Sequence, residues 1–171
     1  MPVNLEIKVR LKSHKNVKTI LNSIGAEFMG ILKQKDIYYK GKSQLLKLRI
    51  QGNKNEFIRY NRDESGKTRW SNYDIIDMQG KKIPEFLQSI LTVETIVEKR
   101  RELWYFDDTR IHLDTVKGLG QFLELETLVL KKGRKDAEKR FNYMVNTLDL
   151  DVKGQIRSSY RTLMLKISKK K

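Results

Sequence analysis

The chain has 171 residues, 39% hydrophobic and 33% charged, a length and composition suited to one domain spanning residues 1–171 with a core of its own. No apolar run approaches the length that spans a bilayer, and the start, MPVNLEIKV, lacks the apolar stretch of a signal peptide, so the expectation is a cytoplasmic protein with no membrane partner. Lysine and arginine outnumber aspartate and glutamate 36 to 21, a net charge of +15 that points to anionic partners. Part of that excess lies in Lys131-Lys132-Gly133-Arg134-Lys135 and in Lys169-Lys170-Lys171, which read equally well as solvated ends. With no cysteine the sequence says nothing of redox environment, and it carries no signal for oligomeric state.

Val3 to Leu11 alternates as a strand, with Leu5, Ile7, Val9 and Leu11 on one face and Glu6, Lys8 and Arg10 on the other. From His14 to Ala26, Val17, Ile20, Leu21 and Ile24 recur at helical spacing, and Gly25 ends an amphipathic helix that should cover the apolar face of the sheet. His14 itself reads as a surface residue. Glu27 to Tyr39, Leu45 to Gln51, Glu56 to Arg62 and Arg69 to Met78 read as strands, the last two joined by the turn Asp63-Glu64-Ser65-Gly66-Lys67. Lys47 and Arg49 share one face of their strand, while Arg59 and Arg62 fall on opposite faces of theirs. Ile83 to Val93 is a second helix, with Pro84 near its start and Phe86, Leu87, Ile90 and Leu91 as its apolar stripe. Glu94 to Tyr105 returns to strand, placing Val97, Lys99, Arg101 and Leu103 together.

Asp107 to Val129 reads as a hairpin around Lys117-Gly118-Leu119-Gly120-Gln121. Arg110, His112 and Asp114 share the polar face of its first run, and Glu124 and Glu126 that of its second. Acids this close repel unless cations lie between them, and magnesium or manganese would take carboxylate oxygens while keeping positions for a phosphate. A helix from Asp136 to about Leu148, with Ala137, Phe141, Met144, Val145 and Leu148 as its stripe, and a helical segment from Ser158 to Leu165 complete the chain. About eight strands in hairpins, with helices between groups of strands, describe an α+β protein built on an antiparallel sheet. If that sheet closes with its charged faces inward, it is a barrel with a polar lumen and helices outside.

Glu6-Ile7-Lys8, Gln34 to Tyr39, Leu46-Lys47-Leu48-Arg49, Val97 to Arg101 and above all His112 to Glu126 together resemble the CYTH domain, a superfamily of class IV adenylyl cyclases, thiamine triphosphatases and inorganic and RNA triphosphatases. The resemblance covers nearly the whole chain and implies a triphosphate tunnel, a closed eight-stranded antiparallel barrel that binds a triphosphate through basic side chains and a divalent metal through acids. It implies Glu6, Asp114, Glu124 and Glu126 as ligands of Mg2+ or Mn2+. Lys8, Lys47, Arg49, Arg62, Lys99, Arg101 and Arg110 would grip the triphosphate, with Lys8, Arg49 and Arg101 as the catalytic cations. Asn4 stands where the family's ExExK pattern has its first acid, which removes one charge from the implied ligand set.

Three functions compete. A metal-dependent phosphohydrolase would act on tripolyphosphate, thiamine triphosphate or another organic triphosphate. A cyclase would convert ATP to cyclic AMP and pyrophosphate. A non-catalytic module would bind polyphosphate or nucleic-acid ends, nucleic acid being expected only as a 5′-triphosphate end. Three acids in the site count against the module, and water needs no adenine pocket, which places hydrolysis first. His112 reads as a hydrogen-bonded structural residue or a proton shuttle, and Tyr38, Tyr39, Tyr60 and Trp70 read as packed aromatics more than base-stacking ones.

Overall fold

The structure, a computed structural model, describes residues 4–41, 44–62 and 71–169, with side chains described outside 60–62 and 71–73. Its elements run β1 (Asn4–Leu11), α1 (Lys15–Ser23), β2 (Glu27–Tyr39), β3 (Leu45–Gln51), β4 (Lys54–Arg62), β5 (Ser71–Met78), α2 (Ile83–Ile90), β6 (Val93–Phe106), β7 (Thr109–Val116), β8 (Gly120–Leu128), α3 (Arg134–Thr147) and α4 (Tyr160–Ser168). The turn expected at 63–67, together with Arg69 and Trp70, lies outside the described residues.

The strands form one eight-stranded sheet in the order β1-β8-β7-β6-β2-β3-β4-β5. The β1–β8, β7–β8, β2–β3, β3–β4 and β4–β5 ladders are antiparallel, and for β7–β8, β2–β3 and β3–β4 the short turns that join the strands require it. The closed barrel that the resemblance implies is not present among the described residues, because the order starts at β1 and ends at β5 with no ladder between them. One physical reason is visible on β1. The amide of Ile156 donates to the carbonyl of Lys8 at 2.8 Å, so a later stretch of chain occupies that strand edge at Lys8.

The chain falls into two compact units: Met1–Leu32, Arg100–Val116 and Gly120–Arg157 in the first, Lys33–Lys99, Lys117–Leu119 and Ser158–Lys171 in the second. The core of the first joins Ile7 and Val9 of β1, Ile111 and Leu113 of β7, and Leu123 and Leu125 of β8 to Val17 and Leu21 of α1 and Met144, Val145 and Leu148 on α3 and at its end. The odd-numbered face of three strands is thereby sealed, and the even-numbered face is left to carry charge. A two-residue turn with φ of 42° and 55° at Asp107 and Asp108 joins β6 to β7, a conformation that aspartate tolerates better than most residues. Arg140 pins it from α3, donating to the carbonyls of Asp107 at 3.2 Å and Leu128 at 2.8 Å while its Nε donates to Asp136.

His14 is buried rather than on the surface. Its ring Nε2 lies 3.0 Å from the carbonyl oxygen of Phe122, which can only accept, so Nε2 carries the proton. Burial lowers the His14 pKa below its ordinary value, more than that hydrogen bond and the Glu102 charge raise it. The unfolded chain then takes up a proton near pH 6.5 while the folded chain does so only at lower pH, so the contribution of His14 is complete above about 6.5 and is lost as pH falls through its folded value. His14→Gln keeps a donor for Phe122 but cannot titrate. The stability difference between wild type and this variant is expected to shift in the variant's favour below about pH 6.5, as measured by urea unfolding at a series of pH values; a difference that stays flat would refute the buried neutral ring.

The second unit packs Ile37 and Tyr39 of β2 and Leu48 of β3 against Leu87 of α2, with Leu46, Ile50, Phe57, Met78, Ile83, Leu91 and Val93 around them. The inward side of α2 is therefore Leu87 with the partly buried Ile83, continued by Leu91 just past the helix end, and the expected Phe86 and Ile90 are exposed at 60% and 62%. Residues four apart stack on one face, and the rejected pair lies on the neighbouring one. Ser159 caps α4, its Oγ accepting from the amide of Thr162 at 3.1 Å, and so fixes Tyr160 at the first position of that helix. Among the described residues no helix is long and apolar enough to cross a membrane.

Candidate active site

The antiparallel register lines up side chains across β1, β8 and β7 in rows. Glu6, Glu126 and Arg110 form one row, Lys8, Glu124 and His112 the next, and Arg10, Phe122 and Asp114 the third. All lie on the face opposite the core, and β6, next to β7 in the sheet, adds Arg101. The Arg101 fork closes on Asp114, with Nε 2.7 Å from Oδ1 and Nη2 2.6 Å from Oδ2, and Nη2 also reaches Glu124 Oε2 at 2.7 Å. Lys8 Nζ lies 2.8 Å from the other oxygen of Glu124, and Arg110 Nη2 lies 2.9 Å from Glu126 Oε2. Acids and cations alternate, and this arrangement allows Asp114, with no exposed surface, to remain charged inside the protein.

Two buried nitrogens on this face, Arg110 Nε and His112 Nδ1, have no hydrogen-bond partner among the described residues, and the second sits between carboxylates. His112 is only 7% exposed, and its Nδ1 lies 3.7 Å from Glu126 Oε1 and 3.9 Å from Glu124 Oε2, too far for a hydrogen bond. Burial and then the Arg101 charge lower the His112 pKa, and the two glutamates offset this only in part. His112, Glu124 and Glu126 form the group of potential metal ligands, their donor atoms all within 4.8 Å of one another. A buried donor without a partner between two carboxylates fits a divalent cation. Asp114, whose oxygens accept from Arg101, is not part of that group.

The second unit carries its own charged cluster. Asp36 of β2, 2% exposed, sits opposite Arg49 of β3 in the ladder and receives its fork, Nε to Oδ1 and Nη2 to Oδ2 both at 2.8 Å. Lys47 Nζ lies 3.2 Å from Asp36 Oδ2 and 5.7 Å from the Tyr38 ring centroid. Burial pushes the Asp36 pKa up, but the Lys47 charge, the Arg49 hydrogen bonds and the Lys99 charge together hold it far below the usual carboxylate range. The Lys99 ammonium stands 5.3 Å from the centroid of Tyr160, the residue that the Ser159 cap fixes. Arg62 lies in β4 opposite Ser71, with its side chain outside the described residues. Arg59, on the opposite face, pairs with Asp74 at the surface.

The profile of the CYTH domain matches residues 3–151. The chain belongs to the CYTH domain family. A protein of Methanocaldococcus jannaschii named "Putative adenylate cyclase MJ0240" is 27% identical over 94% of this chain and 98% of its own. Among solved structures, the PH1012 protein of Pyrococcus horikoshii superposes with a TM-score of 0.79 at 21% identity, covering 94% of this chain and 99% of that one. A Vibrio parahaemolyticus structure described as a "putative adenylate cyclase" superposes with a TM-score of 0.71 at 17% identity over 94% and 97% of the two chains. At these identities the two structures speak to the CYTH fold alone.

Of the residues expected in a CYTH site, Lys8, Glu124, Arg101 and Asp114 form one chain of ion pairs in the first unit and Arg110 and Glu126 pair beside them, with Glu6 opposite Glu126 in the register. In the second unit Lys47 and Arg49 meet on Asp36, and Lys99 acts on it electrostatically. Asp36 is the residue that sequence reasoning passed over. The available signal was a single acid on the inward parity of Gln34-Lys35-Asp36-Ile37-Tyr38, in a strand facing Lys47 and Arg49. Tyr38 and Tyr39 are buried, in keeping with packed aromatics.

Proposed function

We propose that this CYTH protein is a divalent-metal-dependent enzyme acting on a triphosphate, and that its reaction is hydrolysis of an inorganic or organic triphosphate. The observation that supports it is the interleaving of Lys8, Arg101 and Arg110 with Asp114, Glu124 and Glu126 on one face beside the unpartnered Nδ1 of His112. A module that only captured polyanions would gain nothing from those acids. Glu6, Glu124 and Glu126 are the proposed carboxylate ligands of Mg2+ or Mn2+. Asp114, joined to the metal set by the family resemblance, orients the Arg101 guanidinium in this arrangement. A divalent ion held there supplies positive charge against phosphate oxygens and polarises the phosphorus.

The chain's own residues have the remaining work. Lys8, Arg101 and Arg110, with Lys47, Arg49, Arg62 and Lys99, are the cations proposed to take the non-bridging oxygens, the arginines by their planar forks. Lys8, Arg49 and Arg101 are proposed to stabilise the charge that develops as the bond to the leaving phosphate breaks. Each already holds a carboxylate, so substrate oxygens exchange for carboxylate oxygens without bringing a bare cation out of water. Arg49→Ala is expected to raise KM for tripolyphosphate about 10- to 100-fold, the worth of one or two charged hydrogen bonds, with a smaller change in kcat. A lowered melting temperature with KM unchanged would remove Arg49 from the substrate site.

The name of the M. jannaschii relative favours a second reading, an adenylyl cyclase. Here the ribose 3′ hydroxyl attacks the α-phosphate and pyrophosphate leaves. The two reactions separate in one assay: purified protein with Mg2+ or Mn2+ is offered tripolyphosphate, thiamine triphosphate and ATP in turn, and orthophosphate, pyrophosphate and cyclic AMP are resolved. Orthophosphate without cyclic AMP is the expected result. Cyclic AMP with equimolar pyrophosphate establishes the cyclase, and tight tripolyphosphate binding without turnover establishes the binding module instead.

A further inference from the structure

The metal reading above rests on carboxylates, as hard oxygen ligands for a hard cation, yet the most conspicuous unsatisfied atom on the face is a nitrogen. We infer that His112 Nδ1 is itself a metal ligand, completing a His112, Glu124, Glu126 set that selects Mn2+ over Mg2+. This rests on the proposed metal site and goes further, assigning its third donor and the kind of ion it holds.

Three observations carry it. First, the position of the donors: Asp114, the hairpin's other acid, lies one cross-strand row away, opposite Phe122, whereas His112 lies directly opposite Glu124, and the donor atoms of His112, Glu124 and Glu126 all come within 4.8 Å of one another. Second, the environment of His112: buried imidazole nitrogens are almost always satisfied, and this Nδ1 has no partner among the described residues although two carboxylate oxygens stand 3.7 and 3.9 Å away. Two donors bound about 2.1 Å from one octahedral ion sit about 3 Å apart, so modest side-chain rotation brings these atoms to a shared ion. Third, the cations set which oxygens face His112. Lys8 holds Glu124 Oε1 and Arg110 holds Glu126 Oε2, which leaves Glu126 Oε1 and Glu124 Oε2 turned towards His112, the latter also accepting from Arg101 Nη2 at 2.7 Å.

The donor chemistry then separates Mn2+ from Mg2+. Magnesium demands oxygen and holds its waters, while affinity for an imidazole-bearing site rises along the first-row divalent metals from manganese upward. One nitrogen among carboxylates leaves Mn2+ well accommodated and penalises Mg2+.

The test uses tag-free, metal-stripped full-length protein and Mn2+ alone. Electron spin-echo spectroscopy of the Mn2+-loaded wild type is expected to show 14N coupling from a bound imidazole. The chain has two histidines, and His14 is committed to Phe122, so His112→Gln should abolish that coupling. The same variant is expected to bind Mn2+ about 10- to 100-fold more weakly, with Mg2+ affinity nearly unchanged. A melting curve in chelator confirms that it folds, and the wild-type spectrum stands without it. Bound Mn2+ with no 14N coupling, or an unchanged ratio of Mn2+ to Mg2+ affinity in His112→Gln, overturns the inference while leaving the carboxylate site in place. Wild-type Mn2+ binding in Glu126→Gln overturns the metal site itself, and the inference with it.

Discussion

Glu126→Gln is expected to lower metal-dependent turnover by about 100- to 1000-fold, equivalent to roughly 3–4 kcal/mol of transition-state stabilisation. The amide is nearly isosteric and can still accept from Arg110 Nη2, now 2.9 Å from Glu126 Oε2, so the local packing has little reason to change. Glu126 is also partly open to solvent, which keeps the structural consequence of losing its charge small. The loss is therefore electrostatic: one of two carboxylates facing His112 no longer attracts a divalent ion. The check is kcat against Mn2+ concentration for both proteins, with melting temperatures alongside. A variant that keeps wild-type turnover removes the hairpin acids from the mechanism, whichever triphosphate is used.

Why the hairpin was legible and other parts were not is a matter of range. Alternation in His112-Leu113-Asp114 and Glu124-Leu125-Glu126 reports which side chains share a face, and burial of Leu113, Leu123 and Leu125 under α1 and α3 fixes that parity. Parity does not say who meets whom. Arg101 and Asp114 both stood out in the sequence, one for phosphate and one for metal, and only the juxtaposition of β6 and β7 shows them gripping each other. Asp36 became important through the β2–β3 register that sets it opposite Arg49. His14 looked polar and exposed because its partner, the Phe122 carbonyl, is a backbone group 108 residues away. In α2, apolar residues on two adjacent faces left the choice between Leu87 and Phe86 to tertiary packing. The open order of the sheet was likewise invisible, since the contact of Ile156 with the edge of β1 joins segments far apart in sequence.

Asp36→Asn is expected to destabilise the protein by about 3 kcal/mol, the usual cost of breaking a buried ion pair from one side, which corresponds to a fall in melting temperature of about 6–12 °C. The wild-type carboxylate is 2% exposed and receives the Arg49 fork and Lys47, so the variant leaves positive charge facing an amide that can accept but not neutralise. The pH dependence gives the sign. The folded Asp36 pKa lies far below the unfolded value of about 3.9, so the carboxylate's contribution is complete above about pH 4 and is lost only as pH falls towards the folded value. The gap between wild type and variant should therefore hold constant from neutral pH to about 4 and narrow below it. The same variant interrogates function. If Lys47, Arg49 and Lys99 serve phosphate, tripolyphosphate supplies the oxygens that Asp36 no longer does, and it should raise the melting temperature of Asp36→Asn by more than that of wild type. Equal shifts in the two proteins would mean that these cations exist to hold Asp36 and the sheet around it, and the triphosphate would then have to be sought at Lys8, Arg101 and Arg110.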